Sequence, residues 1–298
     1  MTLGGSFALG PWQVHRAGYG AMQLAGDGVF GPPGDRDEAL RVLRAAVAAG
    51  VDHIDTAQFY GPGTVNQLIR EALHPYPDDL AIVSKVGARG DTDPALLRQG
   101  IEDNLATLGT HRLAAVNLRI TDPSEVPGGQ FDAQLAALIK AREDGLIDGI
   151  GLSNVSRPHL LRAADQTEIV CVQNLFNLAD QRSLDVLTEC EARAIAFVPF
   201  CPLGLPGEQR HRLLTDPDLA TLATLGARLG ASPAQLALAW LLDLAPNILL
   251  VPGTRTRSHL AENLAAADLK LDDAVRTGLA RLGSDRIRRG PRHRAQGA

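Results

Sequence analysis

Lysine is scarce in this 298-residue chain: it occurs only at Lys85, Lys140 and Lys270, so 26 of the 29 basic residues (29 − 3) are arginine. Tyrosine is equally rare, at Tyr19, Tyr60 and Tyr76. Chemistry that sets an ammonium beside a phenol therefore has few residues to draw on. The cysteines, Cys171, Cys190 and Cys201, are odd in number and form no CxxC pair. That argues against a disulfide framework and a structural zinc site, and no metal is expected. No apolar run approaches the ~18 residues of a membrane span. The opening MTLGGSFALG lacks the basic and apolar regions of a secretory signal, so the expected location is cytoplasmic. Positive charge is not in excess: 29 Lys+Arg against 34 Asp+Glu leaves −5, which disfavours nucleic acid and membrane surfaces as partners.

What is present is an alternation of short apolar segments and amphipathic stretches. Strand-like segments lie at 14–20, 51–55, 80–87, 113–120, 148–154, 169–174, 195–200 and 247–253. Helical patterns fall between and after them, at 36–49, 64–73, 94–108, 131–144, 156–165, 183–193, 216–244 with a break at Gly230, and 257–267; a further helix follows at 272–283. At the first helix, Asp35 and Glu38 have capping-box spacing, Leu40, Leu43 and Val47 recur at helical spacing, and Gly50 closes the stretch. Eight strand–helix units predict an α/β protein, a (β/α)8 TIM barrel, in one domain spanning 1–298; a doubly wound sheet is the runner-up. Residues 1–13, turning at Gly10-Pro11, read as an N-terminal β-hairpin over the barrel floor. The extra C-terminal helix leads into a mobile basic tail, 284–298.

Catalytic groups of such barrels stand at the C-terminal ends of strands. That rule selects Asp55, Lys85, Asn117, Arg119, Ser153, Asn154, Gln173 and Asn174. Alternation in AAVNLRI places Val116, Leu118 and Ile120 on one face and Asn117 and Arg119 on the other, facing the axis. Lys85 is a lone cation in an apolar strand and requires a partner, for which Asp55 is placed best. Tyr60 follows five residues after Asp55. A phenol beside such a pair makes a general acid, its phenolate stabilised by the ammonium, and its pKa is expected to fall from the usual ~10.

At these residues the chain resembles the aldo/keto reductases over nearly its whole length. The resemblance implies a catalytic set of Asp55, Tyr60 and Lys85, with Arg119 where the family pattern has histidine. It implies nicotinamide contacts from Ser153, Asn154 and Gln173, and a stacking aromatic at Phe200. The pyrophosphate loop would be Cys201, Pro202, Leu203 and Gly204, and Gly20, Ala21 and Met22 would touch the cofactor at the end of the first barrel strand. The adenosine end would fall on Pro252, Gly253, Thr254, Arg255, His259, Glu262 and Asn263. NADPH is the cofactor expected, because Arg255, Arg257 or His259 offers a base to a 2′-phosphate at a helix start. The strings GYGAMQLAGDGVFGPP, VNLRI and VCVQN resemble the branch of that family that interconverts pyridoxal and pyridoxine, so a small-molecule aldehyde is the expected substrate. Arg119 cannot donate a proton at ordinary pH, but its fork suits an oxygen anion. Two other functions fit parts of the sequence: a Schiff-base aldolase using Lys85, and a nucleotide-binding redox sensor without turnover.

Overall fold

The computed structural model describes residues 2–87, 92–204 and 216–287. An antiparallel hairpin, β1 (Ser6–Leu9) and β2 (Trp12–His15), precedes a sheet of seven parallel strands in consecutive order. These are β3 (Tyr19–Gly20), β4 (His53–Asp55), β5 (Ala81–Val86), β6 (Leu113–Arg119), β7 (Ile147–Ser153), β8 (Cys171–Leu175) and β9 (Ala196–Phe200). Helices α1 (Arg36–Ala48), α2 (Thr64–Leu73), α3 (Pro94–Leu108), α4 (Gly129–Glu143), α5 (Arg157–Ala164) and α6 (Leu184–Ala192) alternate with them. After β9 come α7 (Asp216–Arg228), α8 (Pro233–Leu244), α9 (Arg257–Ala265) and α10 (Asp273–Ile287). The fold is the expected (β/α)8 barrel.

Its eighth position is extended chain rather than a ladder. Pro246 and Pro252 flank the segment and each removes a donor. Single bridges join Ile248 to Phe197 and Leu250 to Ala17. Backbone bonds from Leu249 N to Phe197 O (2.9 Å) and Gly18 N to Leu250 O (2.8 Å) close the ring between β9 and β3. The string GDGVFG at 26–31 fits a dinucleotide-binding GxGxxG. Here it shapes a turn, with Gly26 N bonded to Gly31 O at 3.0 Å, and the unbroken strand order leaves no switch point of a doubly wound sheet.

Strand alternation sorts the core into two layers. Ala81, Val83, Ala115, Val198 and Val251 face the axis, whereas Ile82, Val86, Val116, Leu118, Ile150 and Leu250 pack beneath the helices. The hairpin belongs to the inner layer: Leu9 and Val14 plug the floor against Val170 and Ala196. It therefore extends through His15, two residues beyond the expected 1–13, and β3 is correspondingly short. Gly10 turns it at φ +61°, and a Cβ there would stand 2.8 Å from Val170. The tail expected from 284 overlaps the end of α10, which runs to Ile287; residues 288–298 lie outside the described residues.

Candidate active site

Register brings the strand-end polar groups to one mouth. Lys85 pairs across to Asn117, Arg119 to Ser153, and Ser153 to Gln173. The buried Lys85 Nζ donates to Asp55 Oδ2 at 2.6 Å and to the Thr56 carbonyl at 2.9 Å. The other Asp55 oxygen accepts from Gln173 Nε2 at 2.9 Å. Tyr60, 6% exposed, packs edge-on against Phe59, and Lys85 Nζ lies 5.0 Å from its ring centroid. Arg119 Nη1 donates to Ser153 Oγ at 3.1 Å, and its guanidinium carbon lies 5.1 Å from the centre of the Phe200 ring. Six sequence-predicted residues, Asp55, Tyr60, Lys85, Arg119, Ser153 and Gln173, thus meet at one mouth, with Phe200 at its edge.

The electrostatics differ from expectation in one respect. Burial pushes the Tyr60 phenol up, Lys85 and Arg119 pull it back, and the net result lies above the ordinary tyrosine value rather than below it. Burial pushes Lys85 down, but Asp55 and Tyr60 together outweigh this and hold the ammonium above its usual range. A Schiff-base lysine must present a neutral amine; a charged, doubly hydrogen-bonded Lys85 does not. Burial lowers Arg119, and pushes Cys171 up to about 12, so that thiol is no nucleophile at neutral pH.

The remaining predicted positions follow β3, β7 and β9 and the chain that leads into α9. Gly20, Ala21 and Met22 leave β3 into a short 3-10 turn, and a Cβ on Gly253 would stand 2.8 Å from the Gly20 carbonyl, so only glycine allows this approach. Cys201 adopts φ +51°, and its carbonyl accepts from Gly204 N and Asn177 Nδ2. Asn154 turns its amide to the Ile120 carbonyl at 2.8 Å, so its side chain secures the loop after β6. At the far end, Thr254 is buried with its carbonyl on Tyr19 Oη (2.7 Å), and Thr256 caps α9. The two arginines expected to meet a phosphate both have protein partners. Arg255 Nε donates to the Gln23 carbonyl (2.7 Å), and Arg257 Nε lies 3.2 Å from the Glu38 carboxylate. Glu262 accepts from Ser232 Oγ, and Asn263 is buried.

Two buried side-chain atoms in the mouth have no partner among the described residues: Gln173 Oε1 and Asn117 Nδ2. A buried polar atom without a partner is costly and marks a place where a polar group belongs. An acceptor at Gln173 Oε1 beside the Ser153 hydroxyl fits a carboxamide such as that of a nicotinamide. Sequence reasoning missed Glu38 and a buried polar cluster at Thr56, Asn66, Ser84 and Asn104. The signal for the latter was available: Asn66 and Asn104 interrupt otherwise apolar helix stripes (Ile69, Leu73; Leu97, Ile101, Leu108).

Residues 16–282 match the aldo/keto reductase family, and the chain belongs to it; it is an oxidoreductase of that pyridine-nucleotide-dependent family. Among curated proteins it is similar to pyridoxine 4-dehydrogenase of Escherichia coli K12, with 48% identity over 281 residues, covering 91% of this chain and 95% of that protein. An uncharacterized oxidoreductase of Schizosaccharomyces pombe is 33% identical, over 91% of this chain and 87% of that one. Among solved structures, a thermostable aldo-keto reductase crystallised with the inhibitor epalrestat superposes with a TM-score of 0.81 at 31% identity, covering 93% and 99% of the two chains. An aldo/keto reductase from Klebsiella pneumoniae, in complex with NADP and acetate, gives 0.77 at 26%, covering 93% and 94%.

Proposed function

We propose that the protein is an NADPH-dependent reductase of aldehydes, converting pyridoxal to pyridoxine with Tyr60 as general acid. The observation that carries this reading is the buried Asp55–Lys85 pair against the Tyr60 ring, with Arg119 beside it. The 48% identity to a pyridoxine 4-dehydrogenase supports the substrate. Gln173 and Ser153 would hold the carboxamide, Asn154 would line the same end, and Phe200 would stack on the ring. Gly20 to Met22, Cys201 to Gly204, and Pro252 to Asn263 would follow the rest of the nucleotide. When bound, the reduced cofactor supplies the hydride.

The chain supplies the proton. A proton donor must keep its proton at working pH, and burial of Tyr60 ensures that. As the carbonyl oxygen gains negative charge, the phenol releases its proton to that oxygen, and the product is an alcohol. The phenolate left behind faces the positive charges of Lys85 and Arg119 in a low-dielectric mouth. Asp55 keeps Lys85 charged and oriented. Arg119 serves recognition: its fork pairs with an ionised hydroxyl next to the aldehyde, as pyridoxal carries.

Following NADPH absorbance against a panel of aldehydes that includes pyridoxal tests the reading. Wild type is expected to turn over pyridoxal many times, which also removes the sensor alternative. Tyr60→Phe is expected to lose about 10²- to 10⁴-fold in kcat. Reduction of other carbonyls but not pyridoxal would overturn the substrate assignment.

A further inference from the structure

Behind the catalytic pair, on the helix side of the sheet, lies a buried polar cluster with no part in the reaction above. Thr56 follows Asp55 and Ser84 precedes Lys85, and both side chains turn outward to α2 and α3. Thr56 Oγ1 donates to Asn66 Oδ1 at 2.8 Å. Asn66 Nδ2 donates to Asn104 Oδ1 at 2.9 Å and to Thr107 Oγ1 at 3.0 Å. Ser84 Oγ donates to Asn104 Oδ1 at 2.6 Å, and Asn104 Nδ2 to the Gly100 carbonyl at 2.8 Å. Thr56, Asn66, Ser84 and Asn104 are all 0% exposed.

A satisfied polar cluster adds little net stability over an apolar one of the same shape, and each member becomes costly once a partner is lost. What hydrogen bonds add over dispersion is direction. Here the direction is applied at two points, the residue after one catalytic group and the residue before the other. Thr56 is tied twice, by Oγ1 to Asn66 and by its N–H to the Val83 carbonyl (2.8 Å), which fixes its own carbonyl where Lys85 Nζ meets it. We propose that Asn66 and Asn104 are positioning residues. They lock Thr56 and Ser84, and through them hold the Lys85 ammonium against Asp55 and Tyr60. The kinetic part of this proposal rests on the reductase reading; the geometric part does not.

With three lysines in the chain, a protein labelled with heavy nitrogen at lysine gives three ammonium NMR signals, and Lys85 is identified by its buried, slowly exchanging protons. Asn66→Leu and Thr56→Val both cut the Thr56–Asn66 bond, from opposite sides, and Asn66→Leu also removes the two bonds that Asn66 donates; in both, those protons are expected to exchange at least about tenfold faster. In the same variants kcat for aldehyde reduction is expected to fall about ten- to a hundredfold with both KM values little changed. Thr56→Ser keeps the hydroxyl and is expected to restore both readings to wild type. Unchanged exchange and kcat beside a lowered Tm would reduce the cluster to a structural role and overturn the proposal. Faster exchange with unchanged kcat would overturn it too. If Asn66→Leu fails to fold, the nearly isosteric Thr56→Val carries the decision. If wild type reduces no aldehyde, the reductase reading fails, and ammonium exchange alone decides the positioning.

Discussion

Gln173 Nε2 donates to Asp55 Oδ1 at 2.9 Å, tying the end of β8 to the end of β4 across the barrel mouth. Both carboxylate oxygens of Asp55 are therefore engaged, the second by Lys85. Asp55→Ala strands a buried ammonium with one carbonyl acceptor. Urea unfolding at neutral pH is expected to show a loss of about 3–5 kcal/mol, the usual cost of removing one partner of a buried pair. A loss below about 1 kcal/mol would match an exposed pair instead and contradict the burial.

Arg119 sits between Ser153 and the Phe200 ring, where a fork can meet substrate but no proton is released. Arg119→Leu is expected to raise the KM for pyridoxal at least about tenfold more than the KM for unsubstituted benzaldehyde, since a charge-assisted bidentate contact is lost only with the former. Equal effects on the two aldehydes would assign Arg119 to structure.

The pH dependence follows from the direction of the Tyr60 shift. Burial, partly offset by Lys85 and Arg119, places the phenol above its ordinary value, and the proposed reduction uses its protonated form. The kcat for reduction is therefore expected to stay level through neutrality and to fall only as pH rises beyond the usual tyrosine range of about 10. Oxidation of the alcohol needs the phenolate and gains about tenfold per pH unit below that point. Stopped-flow rates in both directions measure this. A reduction rate that halves between about pH 7 and 8 would assign the step to another group.

Glu38 extends from α1 to the start of α9. The hydrogen bond from Arg41, and then those from Arg257, hold its carboxyl at about 2, so it is ionised throughout the working range. It occupies Arg257, a base the sequence offers to a 2′-phosphate. Glu38→Gln is expected to raise the ratio of kcat/KM for NADPH over NADH about two- to fivefold, by removing a like charge near a helix N-terminus and freeing the arginine. An unchanged ratio places Arg257 off the phosphate path.

The barrel and the polar residues gathered at its mouth were legible because both rest on short-range pattern. Alternation put Asn117 and Arg119 toward the axis, and the lone cation in β5 named its own partner. What stayed hidden depends on where distant segments meet. Val14 reads equally well as barrel strand or hairpin, and only packing against Val170 and Ala196 decides it. Residues 247–253 look like the other strands, yet prolines at both ends reduce their pairing to bridges. The sign of the Tyr60 shift turned on burial, which spacing alone does not weigh against two nearby cations. Arg255 and Arg257 looked free because Gln23 and Glu38, their partners, lie more than two hundred residues away in sequence.

The ring closes where β3, formed early in the chain, meets a segment near its other end, joined by a single bridge and a few backbone hydrogen bonds rather than a regular ladder. During synthesis the growing sheet therefore carries two unpaired edges until the last quarter of the polypeptide has emerged. Unpaired edges template association with other chains. The polypeptide is thus most prone to aggregate while incomplete, and the Pro246–Pro252 segment acts as the clasp that ends this exposure.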